Sequence, residues 1–453
     1  MTSTRHPLVS PNEGKAVDDW PIASDAEIAS ALQRVAAAAR VLSFDHAMRR
    51  QKLQAIEAGL SAARDDFVQL IVKEVGKTPS EANSEVDYAL TFLRTSLDLL
   101  SSFEFETELS TQRRITQVPY GPTVLITPFN DPLAGIARKL APAIAAGAPV
   151  LIKPSPKGCA TALRLARVIR EADAEDVAIV LAIVAPAAIG ALIRDDSVAM
   201  VSFTGSSQVG LEVAVAAARS GKHCVTELGG NNPFFIFADA NIDMALADFF
   251  SRKLRAAGQA CSSVNRLYVE WPIREAVIDR IRARLKTVRL GRSDSEPDLA
   301  PVISVEAVER LAGLARKAVA EGGVPLSSGR NPADGQGAFL FPLTIVETPA
   351  PGILDREEAF GPLVSISAFD DAEALVDRLS RERHMLAAYG YTSEAAPVSA
   401  LLRRLPVGSI GINTTGIQGA DFPTGGFGRS GRGREGGVWG FREFLTTCNS
   451  VQI

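Results

Sequence analysis

Thr123-Val124-Leu125-Ile126-Thr127-Pro128-Phe129-Asn130-Asp131-Pro132 reads as an apolar strand running into a turn. An Ala-rich helix through Pro142 and Ala146 follows, then a strand over 150–152 and the turn Lys153-Pro154-Ser155-Pro156. A helix over 161–172, an apolar strand over 177–184 and a strand over 200–203 continue the alternation. Strand–helix units of this length imply an α/β fold with a doubly wound, mainly parallel sheet, which binds ligands outside the carboxyl ends of its strands.

Upstream, Ser24-Asp25-Ala26-Glu27 fits a capping box, and helical periodicity over 49–75 and 80–102 predicts a mostly helical first hundred residues. Residues 111–118 alternate in part and suit an exposed strand or hairpin arm. Downstream, Asn232-Pro233 opens a second α/β region with a strand over 266–269 and helices over 275–286 and 305–320. Gly322-Gly323 and residues 331–337 read as surface turns. Residues 441–453 suit a helix end and a last strand.

The 453 residues call for two large domains or an elaborated α/β architecture. A net charge of −4 argues against nucleic acid or an anionic membrane as the main partner. The cysteines Cys159, Cys224, Cys261 and Cys448 lie far apart, and there are four histidines, so neither a disulfide framework nor a metal site is expected. A reducing cytoplasm is the default. The uncharged run 177–193 reaches the lower length for a membrane span, but Pro186 and Gly190 interrupt it, which favours a strand, turn and helix.

Gly258-Gln259-Ala260-Cys261 sets a lone cysteine among small residues, and Glu227-Leu228-Gly229-Gly230 puts a glutamate before a Gly-rich turn. A thiol and a carboxylate can serve as nucleophile and base. Taken singly, such a cysteine is more often a small buried residue and an Asn before a helix more often a cap. Phe203-Thr204-Gly205-Ser206 follows a strand and opens a helix, so its backbone N–H groups and the Ser206 hydroxyl could hold a pyrophosphate, although no GxGxxG fingerprint occurs at such a position.

Seven motifs in order and spacing resemble the NAD(P)-dependent aldehyde dehydrogenase superfamily: Thr127–Asn130, Lys153-Pro154, Phe203–Ser206, Glu227–Gly230, Gly258–Cys261, Glu357–Pro362 and Ser430–Glu435. The resemblance covers about three quarters of the chain. It implies a Rossmann-like cofactor domain (1–110 and 123–229), an α/β catalytic domain (230–420) and a small β oligomerisation arm (111–122 and 437–453). Exposed arm strands point to a homodimer or homotetramer. In this family pattern Cys261 attacks the aldehyde, and the Asn130 amide and Cys261 N–H hold the oxyanion. Glu227 activates the water that hydrolyses the thioester, with Lys139 and Glu435 on a proton path. Lys153 holds the adenine-side ribose, Glu358 the nicotinamide ribose, Phe129 and Phe360 pack nearby, and Gly205 and Ser206 line the pyrophosphate. Cys159, Cys224, Cys448 and His223 match no motif. The Gly/Arg run 428–434 coincides with a family motif, which argues against an RNA-binding segment.

The departures concern specificity. Pro156 stands where a ribose-binding Glu often favours NAD, and Lys157 follows, so NADP is admitted beside NAD. Thr424 replaces an aromatic residue near the substrate entrance and suits a more polar substrate. Arg429 stands in a stretch where lysine is common, without an evident consequence. The N-terminus is short, so an outer strand is expected to be missing. Arg138 and Arg255 match positions where the succinate-semialdehyde dehydrogenase branch clamps a remote carboxylate, which implies an anionic aldehyde held by guanidinium forks. Ser263 replaces that branch's second cysteine, which removes a vicinal disulfide switch. The rival readings are an enzyme for neutral, sulfo- or phospho-aldehydes, a CoA-acylating dehydrogenase, and a non-catalytic binding protein.

Overall fold

The computed structural model describes residues 5–43, 45–326 and 337–452. Two mainly parallel sheets organise it. The first has six strands, in the order Gly431–Arg432, His223–Leu228, Met200–Gly205, Thr123–Ile126, Val150–Lys153 and Ala178–Val180. All are parallel except the first, which pairs antiparallel through Gly431 with Glu227. Both faces of this sheet are covered, as its apolar strands require. Leu125, Val150 and Ile152 enter a core shared with the N-terminal helices, whereas Val124, Ile126, Leu151 and Val201 face the opposite layer.

The second sheet has seven strands, Val324–Leu326, Thr344–Glu347, Leu363–Phe369, Val264–Glu270, Asn232–Ile236, Ala387–Tyr391 and Ser409–Ile412. Only its first strand is antiparallel. Alternation again splits the side chains, Phe234 and Ile236 to one core and Phe235 and Phe237 to the other. The strand His223–Leu228 ends one sheet at its carboxyl edge, and three residues later Asn232–Ile236 begins the other. This hand-over sets the carboxyl edge of the first sheet opposite the entry edge of the second.

A third, three-stranded antiparallel sheet joins Glu106–Ser110, Arg113–Pro119 and Leu445–Val451. It thus takes in a strand ahead of residue 111. Leu109 and Val451 stand exposed on it at 62% and 67%.

Four local readings need correction. The N-terminus does form outer strands, a hairpin of Arg5–Ser10 and Lys15–Pro21, which the charged sequence of its second strand hid. The helix read over 49–75 is two helices, His46–Ala62 and Arg64–Val75, with Asp65 and Asp66 in the first turn of the second. The strand read over 177–184 shrinks to Ala178–Val180, because the chain turns toward the helix Pro186–Arg194. The helix read over 161–172 starts earlier, at Cys159. Among the described residues no helix is long and apolar enough to cross a membrane. Of the turn read at 331–337, residues 331–336 lie outside the described residues.

Candidate active site

A cavity of about 670 Å³ lies where the two sheets face each other. Asn130, Arg138, Glu227, Cys261 and Glu435 wall one end of it. Phe129, Lys153, Lys157, Gly205, Ser206, Glu358 and Phe360 are also in its walls. Three of the residues singled out from the sequence, Lys139, Arg255 and Thr424, are not. Lys139 lies behind Glu435. Thr424 is buried and exchanges two 2.7 Å backbone hydrogen bonds with Glu435, so it braces that residue from outside the cavity.

The nucleophile loop is held in an uncommon shape. Ala256, Ala257 and Gly258 have φ of 49°, 54° and 70°. Two alanines in the left-handed region cost on the order of 1–2 kcal/mol each. The surroundings offset this cost. Glu81 Oε1 accepts the Ala256 N–H at 2.7 Å. Gln259 donates to the Ala256 carbonyl at 3.1 Å and accepts from Ile303 N–H at 2.9 Å. A Cβ on Gly258 would lie 2.7 Å from the Gly361 carbonyl, so only glycine lets the catalytic loop and the segment of Glu358 touch. Beyond the cysteine, Asn232 Nδ2 donates to the Cys261 and Ser263 carbonyls at 2.7 and 2.9 Å. Tyr389 and Arg252 both donate to the Ser262 carbonyl, at 2.7 and 3.2 Å. Carbonyls pinned from behind keep the thiol on the cavity side.

Burial and the nearby Glu435 push Glu227 up to about 8 against the pull of Arg138, Lys139 and a hydrogen bond with the Cys261 thiol, and among the described residues its carboxylate has no other hydrogen-bond partner. Burial, and then Glu227, raise the Cys261 thiol well above its usual range, against the opposing pull of Arg138 and Arg252. Glu435 behaves oppositely. Burial would raise it, but Lys139 and Arg138 more than offset that and hold it ionised. Lys139 Nζ bonds Glu435 Oε1 and reaches Ser202 Oγ at 2.8 Å, and Thr204 Oγ1 donates to the same carboxylate at 3.2 Å. Arg138 lies over Tyr88 and Phe92, 5.6 and 5.4 Å from the ring centroids, with Nη1 3.5 Å from Glu435 and Nε without a partner. Arg255 is half-buried, and its side chain has no hydrogen bond or ion pair among the described residues. Its charge acts on Asp131 and on Lys77.

The other groups of the cavity wait for a ligand. Lys153 is buried, which lowers its pKa, and its amine has no hydrogen-bond partner among the described residues. Glu358 has one buried oxygen without a partner among the described residues, and burial lifts it to about 7 despite the Gly230 N–H, Arg310 and Lys253. A Cβ on Gly229 would meet the Glu358 carboxylate, so a larger residue there would displace that side chain from its place. Phe360 takes a φ of 41° and meets Phe129 edge to face at 6.0 Å. Arg310 donates to the Ala359 carbonyl at 2.5 Å. Ser206 caps the helix Ser207–Arg219, whose N-terminus borders the cavity. A dinucleotide fits these residues, since ribose hydroxyls would satisfy the free amine and the orphaned carboxylate oxygen. Lys157 is exposed, and Glu306, also in the wall, acts on its charge. Among the described residues no cluster of three or more His, Cys, Asp or Glu could hold a metal.

Sequence reasoning missed Asn232, Tyr389 and Arg252, which brace the loop from other elements, and also Arg310 and Asp131. Asp131 was in view, one residue after Asn130, but its charge carried no signal until the structure put it in the cavity wall.

A thiol and a buried carboxylate stand beside a dinucleotide-sized cleft at the carboxyl ends of a parallel sheet, an arrangement that fits a cofactor-dependent oxidoreductase. The model of the aldehyde dehydrogenase family matches residues 1–449, and the chain belongs to that family. It is an oxidoreductase that acts on the aldehyde group with NAD or NADP. It is 32% identical to an aspartate-semialdehyde dehydrogenase (non-phosphorylating) of Halomonas elongata, over 97% of this chain and 90% of that protein. It is also 32% identical to a succinate-semialdehyde dehydrogenase [NADP(+)] of Escherichia coli, over 84% and 80%. An oxidoreductase structure from Marinobacter aquaeolei superposes with a TM-score of 0.92 at 28% identity, covering 99% of this chain and 95% of that one.

Proposed function

We propose that the enzyme oxidises aldehydes carrying a remote carboxylate, such as succinate semialdehyde, to the corresponding acids and accepts NADP beside NAD. Arg138, in the cavity wall with Nε unpartnered among the described residues, carries this reading. Arg255, half-buried, six residues before Cys261 and with no side-chain hydrogen bond or ion pair among the described residues, lies outside that wall but acts on Asp131 within it and would add a second positive charge. Relatives named for aspartate and succinate semialdehydes support it, and the Escherichia coli relative, named for NADP(+), supports the cofactor.

Cys261 Sγ adds to the carbonyl carbon as the thiolate, its proton passing to solvent through the open cavity, and the Asn130 amide and Cys261 N–H receive the oxyanion. Lys153 and Glu358 would hold the dinucleotide, which would supply the hydride acceptor. Loss of the aldehyde hydrogen as hydride to that acceptor would leave a thioester on Cys261. Glu227 takes a proton from water as the water attacks that thioester, which releases the acid and restores the thiol. Glu435 and Lys139, behind Glu227, carry the proton away. The exposed edge strands 106–110 and 445–451 are where subunits would join as a homodimer or homotetramer.

The test is a steady-state comparison of 4-oxobutanoate with butanal, in wild type and in Arg255→Ala. Loss of the clamp raises KM for 4-oxobutanoate about ten- to hundredfold and leaves butanal nearly unchanged. Equal effects on the two substrates would remove the clamp from the proposal.

A further inference from the structure

Alternation along the strand His223–Leu228 puts His223, Val225 and Glu227 on one face. Val225 packs into the core on that side, whereas its neighbour Cys224 packs against the other. A second cavity, of about 10 Å³, adjoins the first and has room for about one water molecule. Its walls include Val225, Lys139, Ser202, Arg434, Glu435 and Glu443. Arg138 and Glu435 line both cavities, and Glu435 acts on the charge of Glu227. The Glu435 carboxylate therefore stands between Glu227 and the small cavity. The far wall reaches the surface. The Glu443 side chain is 22% exposed and that of His223 27%, with Glu443 Oε2 3.3 Å from His223 Nε2. Glu443 Oε1 accepts the Arg434 N–H at 2.9 Å, one residue before Glu435, which ties the two carboxylates to one frame. His223 stacks on Tyr120 at 4.5 Å, and no hydrogen bond to its Nδ1 occurs among the described residues.

With an acyl group on Cys261, the cavity side of Glu227 is obstructed, and Glu435 stands on its other side. We propose that Glu443 and His223 form the outer half of the proton path and pass the proton of each thioester hydrolysis from Glu435 to solvent. This rests on the proton path proposed above and extends it by two residues. The attacking water gives one proton to Glu227 and its hydroxyl to the acyl carbon. Glu435 takes that proton from Glu227, and a water in the small cavity accepts it while giving up another to Glu443. Arg138, Lys139 and Arg434 line the same cavity. Cations disfavour a free hydronium ion, so the proton moves between carboxylates as a neutral acid. His223 then exchanges it with solvent, which imidazole does readily near neutral pH.

The test measures steady-state kcat and single-turnover hydride transfer in wild type, His223→Ala, Glu443→Gln and Glu435→Gln. It uses whichever of butanal and 4-oxobutanoate wild type turns over faster, and so does not depend on the arginine reading. Gln at 443 keeps an acceptor for the Arg434 N–H but does not ionise. In both outer variants kcat falls about tenfold, while hydride transfer keeps its wild-type rate. Imidazole in the buffer restores kcat in His223→Ala, and an equal concentration of sodium chloride does not. A lost structural brace would give neither the rescue nor the split between the two rates. Wild-type kcat in both outer variants, an equal fall in both rates, or a His223→Ala that imidazole does not rescue overturns the inference. A slow Glu435→Gln beside unaffected outer variants overturns this inference alone. An unaffected Glu435→Gln defeats the proton path above together with it.

Discussion

The reacting end of the cavity and its cofactor end bury charge in opposite ways. Around the thiol, charges come in partnerships: Lys77 with Asp131 and Glu85, and Glu435 with Lys139 and Arg138. At the cofactor end, among the described residues, one oxygen of Glu358 is buried without a partner, and the amine of the buried Lys153, in the cavity wall, makes no hydrogen bond. Paired charges keep their protonation and fix a local field before any substrate arrives. Unpaired ones cost the folded protein stability until a ligand satisfies them. Glu227 is the exception, for it lies among the paired groups and, among the described residues, has only the Cys261 thiol as a partner.

The sharpest way to break this comparison is at that exception. Cys261→Ala removes the nucleophile and is expected to cut turnover by at least about 10⁴-fold. Glu227→Gln keeps the thiol, so rapid mixing should show a burst of reduced cofactor followed by turnover slowed about 10²- to 10⁴-fold. Glu227 works as a base only when ionised, and it is held at about 8. In wild type, kcat should therefore rise as pH climbs through about 8, and the Gln variant should lose that inflection. A variant without a burst would mean that Glu227 acts before the thioester forms.

Much of this arrangement was legible in the chain. Alternating strands and helices after Pro119 announced the parallel sheet, because strands buried on both faces must be continuously apolar. Cys261, Glu227 and Asn130 were found because spaced motifs surround them, and the structure gathers them into one cavity. What stayed hidden depends on partners far away in the sequence. Asn232 braces the Cys261 carbonyl from 29 residues away, and Tyr389 the Ser262 carbonyl from 127. Thr424 looked like a substrate contact, yet its backbone is spent on Glu435. The N-terminal hairpin was missed because Lys15–Pro21 is nearly all exposed and carries no apolar stripe.

At the cofactor end, Glu358 sharpens the contrast. Replacing it with Gln should raise KM for the dinucleotide about tenfold, with little change in aldehyde KM at saturating cofactor. Glu358 titrates near 7 in the folded enzyme. Its carboxylate form is the stronger acceptor for ribose hydroxyls, so cofactor affinity in wild type should fall as pH drops below 7. Thermal melts check the stability side. Saturating cofactor should raise Tm in wild type through binding to the folded state alone, and by less in the variant. An equal rise in both would mean that the orphaned oxygen is not the ribose contact.

The smallest effect is expected at the cofactor end, where two opposite charges that form no ion pair among the described residues stand open to solvent. Lys157 is exposed on the turn Pro156–Gly158, and Glu306 faces it from the wall contributed by the helix Val305–Ala320. A 2′-phosphate gains from the lysine and is repelled by the glutamate, and solvent weakens both terms. Lys157→Ala should therefore lower the NADP-to-NAD ratio of kcat/KM only about two- to fivefold, and Glu306→Gln should raise it by a similar factor. Both shifts should shrink in 0.5 M salt. If Lys157→Ala leaves the ratio untouched while Glu306→Gln raises it, the lysine is a solvated surface group. The lost carboxylate at Pro156 would then have been replaced in function by one from the opposite wall.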